Sequence, residues 1–236
     1  MAATQKMKLR WHRDLASDPV THGWVLNLYR AGEQHPETVD DYFPSQHAPW
    51  PTLGSDISKH ERDERRHTLL YTALIERIGQ PVVELSGSDV YNQVIRRHTP
   101  MRWAISATDS SDQKRTKLAH FMAHANCLER RVLQSLEFHM EACAQLGNRR
   151  VHKAMETVYR DEVRHVGYTA EALSELVTRA EAKDILAVHQ AAEAAADRAF
   201  SALQVRAFLA LHGNRISPTS RLFYAACGWL MEHVPS

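Results

Sequence analysis

Apolar residues recur along most of the chain at the three- and four-residue spacing of amphipathic helices. The pattern, with the Gly, Pro, Ser and Asp residues that bound it, predicts six helices, over residues 19–34, 55–78, 112–146, 148–179, 182–212 and 218–233. Residues 44–54 are predicted to form a loop, and residues 80–110 a connection that contains a short helix at 89–98. The predicted fold class is therefore all-α, with a single domain over residues 1–236.

Within that domain, four long helices between about residues 20 and 180 are predicted to form a bundle, and extra helices at about 182–234 to extend it. Pro36 either kinks the first helix or begins a second piece that carries Thr38 to Phe43. Two roles are open for the C-terminal extension: it forms a homodimer contact, or it covers a pocket in the bundle.

The composition excludes several classes of function but does not identify a particular function. Lys and Arg number 29 against 28 Asp and Glu, so the net charge is +1 and neither nucleic acid nor a membrane is an expected partner. Cys127, Cys143 and Cys227 form neither a C-x-x-C pair nor an even disulfide framework, which favours a reducing, cytoplasmic location. No apolar run has the length of a membrane span, and the first residues do not resemble a signal peptide. Histidine is unusually frequent, at 15 of 236 residues.

The most specific pattern is D-E-x-R-H, which occurs at residues 63–67 and again at 161–165. Each copy contains Glu-x-x-His, and residues three apart share one face of a helix, so a carboxylate and an imidazole can bind the same metal ion. At the composition of this chain, roughly 0.005 copies of D-E-x-R-H are expected by chance. The two copies therefore predict a metal site that includes Glu64, His67, Glu162 and His165.

A bundle site with two Glu-x-x-His motifs needs one further Glu from each of the other two helices. On the long helix before Gly147 the candidate is Glu129, the one charge on an otherwise apolar face. A short turn near Gly147 would bring Glu129 level with Glu162 on the next helix. On the first helix the candidate is Glu33, and Glu37, one turn further on, remains the alternative.

This layout of ligands resembles that of the ferritin-like di-iron carboxylate proteins. The doubled D-E-x-R-H is most similar to the oxygen-activating branch, which includes the bacterial multicomponent monooxygenase hydroxylases and the acyl-carrier-protein desaturases. The chain length, with Gly32-Glu33-Gln34 and Arg160-Asp161-Glu162, also resembles the aldehyde-deformylating oxygenases. The resemblance covers about residues 20–180. It implies a ferritin-like four-helix bundle with a C-terminal helical extension.

The resemblance also implies a role for each matched residue. The metal ligands would be Glu33, Glu64, His67, Glu129, Glu162 and His165, with Glu64 and Glu162 as bridges between two ions. Asp63 and Asp161 would accept hydrogen bonds from the imidazole N–H of the opposite motif. Arg66 and Arg164 would hold these two Asp side chains in place.

The function implied by the resemblance is that of a non-haem di-iron, O2-dependent monooxygenase or oxidase that acts on a small organic substrate. The cofactor would be two Fe ions, with a Mn/Fe pair as the other composition. Electrons would come from a separate reductase or ferredoxin, because the chain has no flavin or nicotinamide fingerprint and no iron–sulfur cysteine set. The alternative from another class is a ferroxidase or iron-handling protein without an organic substrate.

Several residues near the motifs have less specific interpretations. His60 and His124, each within five residues of a proposed ligand, are interpreted as neighbours of the site or pocket residues rather than ligands. The hydroxylases and desaturases often have a Thr one turn after the Glu on their third metal helix, but Val132 and Leu133 occupy those positions here. Four further histidines are interpreted as solvated or packing residues: His139, His152, His189 and His212.

Overall fold

The structure, a computed structural model, describes residues 3–99 and 103–233. Over these residues it contains helices and no strand, which confirms the predicted all-α class. The α-helices are α1 (Ala3–Ala16), α2 (Pro19–Gln34), α3 (Pro51–Arg77), α4 (Tyr91–His98), α5 (Ser111–Gln145), α6 (Arg149–Leu176), α7 (Arg179–His212) and α8 (Pro218–His233). Residue 234, where the predicted extension ends, lies outside the described residues. None of the described helices combines the length and the apolarity needed to cross a membrane.

The boundary between α6 and α7 differs slightly from the prediction, because a capping box decides it. The Thr178 side chain accepts a hydrogen bond from the Glu181 N–H, and the Glu181 carboxylate accepts one from the Thr178 N–H. Two of the free N–H groups at the start of α7 are satisfied in this way. As a result α6 ends at Leu176 rather than 179, and α7 begins at Arg179 rather than 182.

The start of α3 was placed too late by the prediction. The helix begins at Pro51, whereas Ser55 was expected to cap it and residues 44–54 to form a loop. Trp50 is extended, with φ −139° and ψ 150°, and Pro51 then opens the first turn. Proline suits that position because its φ is already helical and its missing N–H would have no partner there.

α1 was missed altogether by the sequence analysis. Its apolar positions Met7, Trp11 and Leu15 are four residues apart, which is a helical stripe, but only two turns of it are apolar. The stripe becomes significant through tertiary packing: Leu15 is 1% exposed, and the Trp11 ring packs edge-on against Phe208 and Tyr224, with ring centroids 4.9 and 4.8 Å away. α1 also packs against α5 and α2.

A buried polar layer separates two apolar clusters in the interior. The first cluster includes Ile57 of α3, Phe121 of α5 and Leu173 of α6. The second cluster includes Tyr71 of α3, Leu136 of α5 and Met155 of α6. Along the chain, α5 runs from the first cluster to the second and α6 runs from the second back to the first, so the two helices are antiparallel. Gly147, with φ +73°, forms the turn between them. On all three helices the candidate ligands lie between the two clusters.

Candidate metal centre

Two helices present donors in matched pairs. On α3, Glu64 and His67 are three residues apart and therefore share a face, and they are 6% and 0% exposed. On α6, Glu162 and His165 have the same spacing and are 0% and 1% exposed. His60, one turn before Glu64, lies on the same face of α3 and is also buried.

Together with α2 and α5, these helices form two adjoining groups of possible metal donors. The first group is Glu33, Glu64, His67 and Glu162, and the second is His60, Glu64, Glu129 and His165. Within each group the donor atoms lie within 4.8 Å of one another. Glu64 belongs to both groups, and the two oxygens of Glu162 lie 3.2 Å from His67 Nδ1 and 2.8 Å from His165 Nδ1. These two carboxylates span the groups, as bridging ligands of a metal pair would.

The two motif imidazoles have the same orientation. His67 Nε2 lies 3.1 Å from Asp161 Oδ2, and His165 Nε2 lies 3.4 Å from Asp63 Oδ2. When Nε2–H donates to a carboxylate, Nδ1 of the neutral ring keeps a free lone pair. In both histidines this Nδ1 faces the Glu side chains, so the ring is aligned to bind a cation.

Two partly exposed arginines hold the aspartates from the outside. Arg66 contacts Asp161 and lies 2.9 Å from Asp63 Oδ1, while Arg164 contacts Asp63 and lies 2.9 Å from Asp161 Oδ1. Burial alone would raise the pKa of Asp63, but the hydrogen bond with His165 and the two guanidinium charges lower it to about 2. Asp63 is therefore ionised at neutral pH and able to accept the imidazole N–H.

Crowding of the buried carboxylates separates their proton affinities. Burial, together with the negative charge of neighbouring Glu side chains, raises the pKa of Glu64 and Glu129 well above the ordinary value. Burial acts on Glu162 in the same direction, but His165 and His67 outweigh it and lower the pKa of Glu162. Burial would lower the pKa of His67, yet its hydrogen bonds with carboxylates raise it to about 11. Without a cation, the cluster thus retains protons.

The donor set fits a pair of divalent cations. His60 Nε2, Glu64 Oε1 and Glu162 Oε1 are buried, and although His60 Nε2 lies 3.3 Å from Glu64 Oε1 and Glu162 Oε1 lies 3.2 Å from His67 Nδ1, none of the three atoms makes a well-aligned hydrogen bond among the described residues. An unsatisfied buried polar atom costs about 1–3 kcal/mol, and a bound cation would satisfy all three. The four carboxylates of the two groups would balance the charge of two divalent ions. Carboxylate oxygen and imidazole nitrogen are donors that suit Fe and Mn.

All six predicted ligands lie in the two donor groups, and the two Asp and two Arg residues lie beside them. The structure also separates the two candidates on the first helix. Glu33 is 7% exposed and belongs to the first group, whereas Glu37 lies exposed in the short 3-10 turn His35–Thr38 that follows α2.

His60 occupies a different position from the one that the sequence suggested. Its Nε2 lies 3.3 Å from Glu64 Oε1 and 3.3 Å from Glu129 Oε1, so it is a seventh candidate donor rather than a neighbour of the site. Its Nδ1 lies 2.7 Å from the hydroxyl of Tyr168. The spacing of four residues from Glu64 is the signal that could have identified it. His124, in contrast, packs on the Trp103 ring and joins neither group.

A third group of candidate donors, formed by His22, His139 and Cys143, shares no residue with the first two. His22 Nε2 lies 3.0 Å from His139 Nε2, and His139 Nδ1 lies 3.3 Å from His12 Nδ1, so these ring nitrogens pair with one another. Burial lowers the pKa of His22 to about 4 and raises the pKa of Cys143 to about 12, which keeps both groups neutral. His139 is therefore a packing residue within a hydrogen-bonded core.

A cavity of about 280 Å³ adjoins the donor groups. Glu33, Glu64 and Glu129 form part of its wall. The apolar part of the wall comes from α1, α2, α5, α7 and α8 and includes Trp11, Val25, Leu128, Val205 and Met231. A mostly apolar cavity with a few converging polar groups is typical of a site for a small molecule.

No protein-family model, curated protein or solved structure matches this chain. A functional interpretation therefore depends on three features of the chain itself. They are the paired donor groups, the Asp and Arg side chains that orient the imidazoles, and the cavity beside them.

Asp161→Asn should weaken metal binding because it removes the charged acceptor of the His67 N–H. Loss of such a hydrogen bond behind a metal-binding imidazole typically lowers metal affinity 10–100-fold, and we expect a loss of about that size. Titration of the metal-free protein with Mn²⁺ measures it. Asp184→Asn, at an exposed position of α7, is the matched control and should leave the affinity unchanged. Equal affinities in the two variants would contradict the orienting role of Asp161.

Proposed function

We propose that this protein is an O2-dependent oxidoreductase, a monooxygenase or oxidase, that binds two iron ions and oxidises a small organic substrate. One observation carries the proposal: two donor groups that share Glu64 lie next to an apolar cavity whose wall includes Glu33, Glu64 and Glu129. Metal ions bound by these carboxylates would border a space in which an organic molecule fits. A ferroxidase centre has no need of such a cavity.

The proposed architecture is a ferritin-like four-helix bundle of α2, α3, α5 and α6, extended by α7 and α8. Its support is the distribution of donors, because each of these four helices contributes at least one Glu to the two groups. Two of the helices contribute a Glu-x-x-His pair to the groups and the other two contribute one Glu each, which is the ligand pattern of that bundle class.

Two iron ions, or a Mn/Fe pair, would supply the electrons and the Lewis acidity that the reduction of O2 requires. The chain's own side chains prepare the site for them. Asp161 and Asp63 hold His67 and His165 with Nδ1 toward the carboxylates. The Tyr168 hydroxyl, whose pKa is raised well above its ordinary value by burial, stays protonated and orients His60.

We also propose that electrons reach the site from a separate reductase or ferredoxin. The chain contains no glycine-rich flavin or nicotinamide fingerprint and no cysteine set for an iron–sulfur cluster. Cys127, Cys143 and Cys227 are free thiols, in keeping with a reducing location such as the cytoplasm.

The proposal is tested by metal analysis combined with O2 uptake. Protein loaded anaerobically with Fe²⁺ should retain about two irons per chain and consume O2 when a chemical reductant is supplied. Repeated additions of Fe²⁺ in air distinguish the alternative, because an oxygenase stays near two irons per chain whereas a ferroxidase or storage protein accumulates many more. A chain that retains no iron would contradict both functions.

A further inference from the structure

Gln204 of α7 is an unusual residue in the wall of the apolar cavity. It is 6% exposed, and both its side-chain Oε1 and Nε2 are buried without a hydrogen-bond partner among the described residues. Burying an amide without partners costs about 1–3 kcal/mol, so such a group is rare unless another molecule satisfies it. The surrounding wall is apolar, with Val205 and Phe200 of the same helix beside it.

Several other polar groups of the wall already have partners within the protein. The Tyr224 hydroxyl donates to Asp14 Oδ2 at 2.7 Å. The Ser201 hydroxyl donates to Asp197 Oδ1 at 3.1 Å. Gln204 is therefore the residue of this part of the wall whose amide lacks a partner, and because both amide atoms are fully buried, a ligand reaches them only when the side chain turns into the cavity.

The two cationic residues of the wall are also engaged. Arg131 forms ion pairs with Asp197 and Glu193, and Lys8 Nζ donates to Gln134 Oε1 at 2.6 Å. The charge of Arg131 is thus compensated inside the protein, and one N–H of Lys8 is used by an uncharged acceptor. The free hydrogen-bonding capacity at Gln204 is neutral and includes one acceptor and two N–H donors. A ligand that matches it is uncharged and can both donate and accept.

We propose that this cavity binds a small, mostly apolar molecule with one neutral group that donates and accepts hydrogen bonds, such as a primary carboxamide, and that Gln204 pairs with that group. The apolar remainder of the molecule fills the space toward Glu33, Glu64 and Glu129. A volume of about 280 Å³ limits the ligand to a small molecule. That this ligand is a substrate rests on the proposed function, but its binding does not.

Binding of three probes that share a six-carbon acyl chain to the full chain, measured by calorimetry, tests this inference. Hexanamide matches both functions of the amide, methyl hexanoate can only accept hydrogen bonds, and hexanoate is an anion. Hexanamide should bind at one site per chain, about tenfold more tightly than methyl hexanoate or hexanoate, because only hexanamide satisfies Gln204 fully. Gln204→Leu should reduce the preference of hexanamide over methyl hexanoate to within about twofold.

Gln190→Leu, at an exposed position of the same helix, is the control and should keep the tenfold preference. The comparison of probes on the unchanged chain remains decisive even if the Gln204 variant does not fold. Equal binding of hexanamide and methyl hexanoate, tightest binding of hexanoate, or an unchanged preference in Gln204→Leu would overturn the inference. None of these measurements needs iron or O2. A chain that binds hexanamide but no iron would contradict only the proposed function. A chain that binds iron but shows no preference for hexanamide would contradict only this inference.

Discussion

Glu64→Gln should remove both metal ions, whereas substitution of a carboxylate that belongs to one group should remove only one. Glu64 contributes to both donor groups, Glu33 only to the first, and Glu129 only to the second. We therefore expect metal content to fall from about two ions per chain to near zero in Glu64→Gln, and to about one in Glu33→Gln or Glu129→Gln. Iron per chain after anaerobic loading and gel filtration is the measurement.

The amide preserves the shape of the Glu64 side chain, so the fold should survive. It also removes a buried carboxylate whose ionisation is opposed by burial and by its neighbours, and the metal-free variant should therefore melt no lower than the metal-free parent protein. Glu76→Gln, at an exposed position of α3, controls for the loss of one charge on this helix. If Glu64→Gln kept one ion in full, the assignment of Glu64 as the shared ligand would be wrong.

Metal affinity should increase with pH up to the raised pKa of His67, at about 11, so it should be higher at pH 8 than at pH 6. In the metal-free protein, Glu64 and Glu129 have raised pKa values, and hydrogen bonds with carboxylates raise the pKa of His67 to about 11. These groups bind a metal only after they lose their protons. For each proton that metal binding releases, the metal affinity therefore increases by up to tenfold per pH unit. Mn²⁺ titrations by calorimetry in two buffers of different ionisation enthalpy count the released protons.

The metal-free fold should lose stability as pH rises from 6 to 8, whereas the contribution of bound metal should grow. Raised pKa values mean that Glu64, Glu129 and His67 stabilise the metal-free fold while they hold protons, and this stabilisation falls as pH rises from their ordinary pKa values toward their folded ones. The difference in melting temperature between Mn²⁺-loaded and metal-free protein should therefore be larger at pH 8 than at pH 6. A pH-independent difference, with no proton release, would contradict the raised pKa values of these three side chains.

Local sequence features predicted most of the helices because their causes are local. The 3.6-residue periodicity and the punctuating residues suffice to locate α2, α5 and α8 to within about one residue at each end. The same periodicity guarantees that Glu64 and His67 share a face of α3, whatever that helix packs against. α1 lacked such a signal, because its short stripe is significant only once Trp11 meets Phe208 and Tyr224, about 200 residues away along the chain.

The convergence of side chains from different helices could be only partly anticipated. Glu129 was identified because a charge on an apolar face of α5 has few alternative explanations. His60 was not identified as a donor, because the approach of its Nε2 to Glu129 depends on how α3 rotates against α5. Gln204 gave no sequence signal at all, since a glutamine on a long, Ala-rich helix is ordinarily a solvated residue.

By itself, the sequence determined the all-α class, the approximate helix boundaries and the two Glu-x-x-His faces, because each depends on contacts within a few residues of one helix. Only the tertiary structure decided between Glu33 and Glu37, placed His60 between Glu64 and Glu129, and formed a cavity with a buried amide in its wall. The physical reason is that the rotation and register of packed helices are set by the burial of whole apolar faces. No spacing within one segment encodes those quantities.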